Sequence, residues 1–120
     1  MKITVKYNQV HNCLVGKFIG TIEPKHVGEY AKEVLKLVRI HDCKRFLNDM
    51  RETEIKLSIG DLYYASAEAA VEEFDRSWRR AVLVKEKTEA MEFYEITGKN
   101  KGLDLKIFDN FDEAMAWLVL

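Results

Sequence analysis

Asp49, Thr53, Ser58 and Asp61 are the residues of this chain best placed to form a switch or contact loop. Asp49 ends a short strand centred on Arg45-Phe46-Leu47, and a carboxylate at a strand end is a common location for function in α/β folds. It could equally cap the turn that follows. Ser58 stands before Ile59-Gly60, where a helical pattern begins, so its hydroxyl can accept from unbonded first-turn amides. A phosphate ester there would meet those same amides and the positive end of the helix dipole, changing the surface charge sharply. Thr53 is a weaker version of the same idea.

Tyr63, Tyr64, Trp78 and Phe93, with Tyr94, combine apolar area and polar tips, which suits a ligand pocket or an interface. Their helical spacing also suits core packing. Arg76, Arg79 and Arg80 could hold a carboxylate or phosphate, but Glu72, Glu73 and Asp75 are near enough in sequence to neutralise them, and a solvated face is the expectation. His41-Asp42-Cys43 offers metal-ligand atom types without a second Cys/His pair at matching spacing, so no metal is expected. No phosphate-binding glycine loop, HExxH or nucleophile elbow is present, and no enzyme or cofactor is expected.

The elements that must position these residues are legible from hydrophobic periodicity. Ile3, Val5 and Tyr7 alternate with Lys2, Thr4 and Lys6, and a polar turn leads into a second strand from Cys13 to Gly20, which predicts a hairpin. Pro24 suits a first helical position, and Val27, Tyr30, Ala31, Val34, Leu35 and Val38 make one helical stripe. A short strand over Lys44 to Asp49 follows, and Met50 to Leu57, charged and without a sustained period, reads as a long loop. Leu62, Ala65, Ala69, Ala70 and Phe74 keep helical spacing. Arg80 to Val84 is the near-continuous apolar run of a central parallel strand. A helix capped by Thr88 carries Ala90, Phe93, Tyr94 and Thr97 and ends near Gly102. Leu103 to Ile107 alternates like an edge strand, and Asn110-Phe111-Asp112-Glu113 opens a closing helix whose stripe is Phe111, Ala114, Met115 and Leu118. A hairpin followed by alternating strands and helices predicts an α/β fold with a mixed five-stranded sheet, and residues 1–120 read as one domain.

Nineteen basic against twenty acidic residues give a net charge of −1, which excludes a field that a nucleic-acid backbone could follow. No apolar run reaches membrane-spanning length, so no membrane insertion is expected. Cys13 and Cys43 are too few for a disulfide framework and read as two separate buried thiols, which fits a cytoplasmic location.

Together with the element order, Leu57-Ser58-Ile59-Gly60-Asp61-Leu62-Tyr63, Asp75-Arg76-Ser77-Trp78-Arg79-Arg80-Ala81-Val82-Leu83-Val84 and Phe108-Asp109-Asn110-Phe111-Asp112-Glu113-Ala114-Met115-Ala116-Trp117-Leu118 make the chain resemble the STAS-like, or SpoIIAA-like, superfamily. In its anti-sigma-factor antagonists, a serine opening the helix after the third strand is a phosphorylation switch. The resemblance implies that role for Ser58, with Leu57 where the motif has aspartate. It also implies a non-catalytic regulatory domain that binds another protein or itself, through the Asp49 to Tyr64 segment. The alternative is a carrier or sensor holding a small apolar or anionic ligand between sheet and helices near Tyr63, Trp78 and Phe93. A homodimer is expected through the Met50 to Tyr64 region, where Met50, Ile55, Leu57 and Ile59 lack regular structure to bury them, unless they fold back as a lid.

Overall fold

A computed structural model describes residues 1–56, 78–100 and 102–120. The element order is β1 (Lys2–Asn8), β2 (Cys13–Ile22), α1 (Pro24–His41), β3 (Arg45–Ile55), β4 (Arg79–Leu83), α2 (Glu89–Asn100), β5 (Asp104–Phe108) and α3 (Phe111–Leu118). The strands form one sheet in the order β1-β2-β3-β4-β5, antiparallel between β1 and β2 and parallel thereafter. The sheet is therefore mixed and five-stranded, as its periodicity predicts.

Local chemistry explains the element ends. The β1–β2 turn holds Asn12 at φ 49°, a left-handed conformation that asparagine tolerates, and Tyr7 donates its hydroxyl to Asn12 Oδ1 at 2.8 Å. Helix α1 begins with Pro24 and is closed at its start by the Glu23 amide donating to His26 Nδ1 at 2.9 Å. It ends at Asp42, also left-handed at φ 49°, whose amide donates to the Val38 carbonyl. Gly102, at φ 86°, ends α2, and Asn110 caps α3 by accepting from the Glu113 amide at 3.0 Å.

Helices α1 and α2 pack on one face of the sheet and α3 on the other. Val34 of α1 packs on Leu14, Cys43, Phe46 and Trp78. Val82, Val84, Met91, Leu103, Leu105 and Ile107 form the adjoining core under α2. On the opposite face, Cys13, Leu47, Ala81, Leu83 and Phe108 receive Ala114, Met115 and Leu118 of α3. Each fully buried leucine contributes about 1.5–3 kcal/mol of apolar transfer, and Leu14, Leu47, Leu83 and Leu105 place one such anchor in each of β2, β3, β4 and β5.

Several expectations are corrected. Met50 to Ile55 is strand, not loop, so Asp49 lies inside β3 rather than at its end. Met50 and Ile55 are partly buried against the core under α2. Leu57 and Ile59 lie outside the described residues, as does the Ser58 helix. Arg80 is buried and Arg79 half-buried, so neither belongs to a solvated face. Phe93 and Phe111 leave their predicted stripes and are 39% and 44% exposed. In α2 the inward face is Met91, Thr97 and Gly98 instead, because Gly98 lets the helix approach Leu105, whose Cδ2 would lie 2.7 Å from an added Cβ.

Candidate functional site

Parallel and antiparallel register place Thr4, Lys17, Asp49, Leu83 and Phe108 in one row across all five strands. This row lies on the face that carries α3, and helix α3 covers its Leu83 and Phe108 end. Asp49 is therefore a nearly buried carboxylate, 7% exposed, at the border between covered and open sheet.

The local backbone explains what that carboxylate does. Between the pairs Lys17–Asp49 and Ile19–Glu52, β2 advances by two residues and β3 by three, a bulge with one extra residue on β3. The bulge re-aims Arg51 toward Asp49. Arg51 donates Nε to Asp49 Oδ1 at 3.0 Å and Nη2 to Oδ2 at 2.9 Å, and its backbone amide reaches Oδ1 at 3.2 Å. The guanidinium lies 5.8 Å from the centre of the exposed Phe111 ring, at the start of α3. Burial pushes the Asp49 carboxyl up, but the Arg51 hydrogen bonds and charge, with Lys17 nearby, outweigh it and hold it below the usual carboxylate range. Lys17 itself pairs with Glu52 at 3.0 Å.

The other sequence-predicted residues do not converge here. Thr53 is in β3, and its hydroxyl donates to the Phe18 carbonyl at 2.9 Å, so it is a structural group of the sheet. Trp78 is buried edge-on to Phe46, with ring centres 5.2 Å apart, under α1. Phe93 is exposed on α2, so Trp78 and Phe93 do not line a common pocket. Ser58, Asp61, Tyr63 and Tyr64 lie outside the described residues. Arg51 and Phe111 are the partners that sequence reading missed. Asp49-x-Arg51 was the available signal, hidden because Met50 to Leu57 shows no strand period.

Cys13 and Cys43 are free and buried in different clusters on opposite faces. Burial, then the neighbouring Cys43, pushes the Cys13 thiol up to about 11, with Arg45 opposing. Among the described residues no group of three or more His, Cys, Asp or Glu side chains is placed to hold a metal ion, and no helix is long and apolar enough to cross a membrane.

Neither a protein-family profile nor a curated protein matches the sequence. A solved structure does match: an uncharacterized protein of the DUF3478 family from Shewanella loihica PV-4, described as having a SpoIIAA-like fold. It superposes with a TM-score of 0.61 at 15% identity, covering 98% of this chain and 92% of that one. At that identity the match speaks to architecture, and it agrees with the five-stranded sheet and flanking helices. The chain has a SpoIIAA-like α/β fold.

Proposed function

We propose that this chain is a non-catalytic, cytoplasmic STAS-like domain that acts in regulation by binding another protein or a second copy of itself. The observation that carries this reading is a nearly buried carboxylate, Asp49, clamping an arginine that is 45% exposed beside an exposed aromatic ring. Arginine and aromatic side chains dominate the binding energy of protein interfaces. An arginine already held in one pose loses less conformational freedom on binding, so its contacts yield more net affinity.

The surrounding surface suits the same role. Register puts Lys2, Thr4, Lys6, Lys17 and Ile19 on the half of this face that α3 leaves open, with Glu52 and Glu54 alongside. A broad, charged, open face favours a macromolecular partner over a carrier's enclosed apolar pocket.

Affinity capture from a lysate of the source organism, using wild type, Arg51→Ala and Phe111→Ala at matched folded concentration, tests the proposal. A specific protein retained by the wild type should be depleted more than about tenfold by either variant, as expected for hot-spot truncation. Identical retention by all three, with no self-association of the wild type, would overturn it.

A further inference from the structure

At the opposite end of the sheet, where β3, β4 and β5 begin, lies an open depression of about 530 Å³. We propose that it binds a small oxyanion, a carboxylate or phosphate group carried by a metabolite-sized molecule. This site is independent of the Arg51 surface.

Its walls are almost wholly polar. Asn12, Asp42, Lys44, Arg45, Arg79 and Asp104 line it, together with Leu120. Arg79 is already committed: Nε donates to Asp104 Oδ2 at 3.0 Å, Nη1 donates to the Trp117 carbonyl at 2.8 Å, and the guanidinium stacks 4.5 Å from the Trp117 ring. It is a fixed positive wall. Lys44 and Arg45, in contrast, have no side-chain hydrogen bond or ion pair among the described residues, and Arg45 is half-buried. A partly desolvated guanidinium without a partner gains strongly from an oxyanion, which it can meet with parallel N–H donors. Among the described residues that line it, the side-chain carboxylate not already paired is Asp42, exposed at the carboxyl end of α1, and the Leu120 oxygen accepts from Arg79 Nη1 at 3.5 Å.

A second observation concerns the backbone. Among the described residues the non-glycine positions with positive φ are Asn12 and Asp42, and both line this depression. Asparagine and aspartate tolerate this left-handed conformation, and here it turns the chain beside the depression. At Asn12 the consequence is specific: Oδ1 accepts from Tyr7 and the carbonyl accepts from Cys43 Sγ, so the side-chain NH₂ is left to donate in a fixed orientation. The Asn12 amide, held by Tyr7, thus lines the same depression as two available cations.

Titration of ¹⁵N-labelled protein with sodium phosphate, and separately with sodium succinate, against an ionic-strength-matched sodium chloride control tests the proposal. Saturable shifts at the Asn12 side-chain amide and the Lys44 and Arg45 backbone amides are expected, absent from the control. Saturation by phosphate alone identifies a phosphate ligand, and by succinate alone a carboxylate. Arg45→Gln should weaken binding about tenfold, the loss of a charge-assisted pair. Should that variant lose spectral dispersion, Lys44→Gln, at an exposed position, should still weaken binding several-fold. Shifts no larger than those in sodium chloride, or unchanged affinity in the folded variants, would overturn the proposal.

Discussion

Asp49 shows how a residue of ordinary type acquires a particular task from its surroundings. Its carboxyl is held below the usual range by Arg51, so its folded-state pKa is lower than its unfolded one. The stability it contributes is therefore present above pH about 4 and lost as pH falls through the folded value. Asp49→Asn should cost about 1–3 kcal/mol near neutrality, and the two unfolding curves should converge in acid, measured by urea denaturation from pH 7 to pH 2. A constant difference across that range would disprove the pair's role. The thiols give a second check at this scale. Cys13 and Cys43 are 0% and 1% exposed, so a thiol reagent should react slowly with native protein and find two free thiols after unfolding.

Among the elements, β3 carries the most consequence. Its first half, Arg45 to Asp49, was legible as strand because Phe46 and Leu47 are apolar and flanked by polar residues. Its second half was not, because the bulge between Asp49 and Glu52 breaks the period of two on which strand recognition depends. Ile55 faces the core under α2, so Ile55→Asp should destabilise the fold by about 3 kcal/mol or more and reduce the helical circular dichroism signal. Loss of self-association with the fold intact would instead place Ile55 at an interface. The docking of α1 on β2 depends on Gly16, where an added Cβ would lie 2.8 Å from the Tyr30 hydroxyl, the group that bonds Asn48. Gly16→Ala should cost about 1–3 kcal/mol in thermal or chemical unfolding.

For the whole molecule, the proposed binding role falls on the open sheet face beside α3. If the partner is a second copy, light scattering across a dilution series should show a species heavier than 14.0 kDa that Arg51→Ala returns to monomer mass. A monomer mass at every concentration would end the self-association reading. The sequence by itself determined the α/β class, the five strands, the caps at Asn110 and Gly102 and the apolar faces of β4 and α3, because these follow from periodicity and local backbone preference. The tertiary structure alone decided that Trp78 is core and Phe93 surface, that Thr53 belongs to the sheet, and that Asp49, Arg51 and Phe111 meet. Those outcomes depend on register, on a one-residue bulge and on the rotation of α2 about its axis, none of which a one-dimensional pattern encodes. The depression at Asn12, Arg45 and Arg79 was invisible for the same reason: its walls come from separate turns and strand ends that only the parallel register of the sheet brings together.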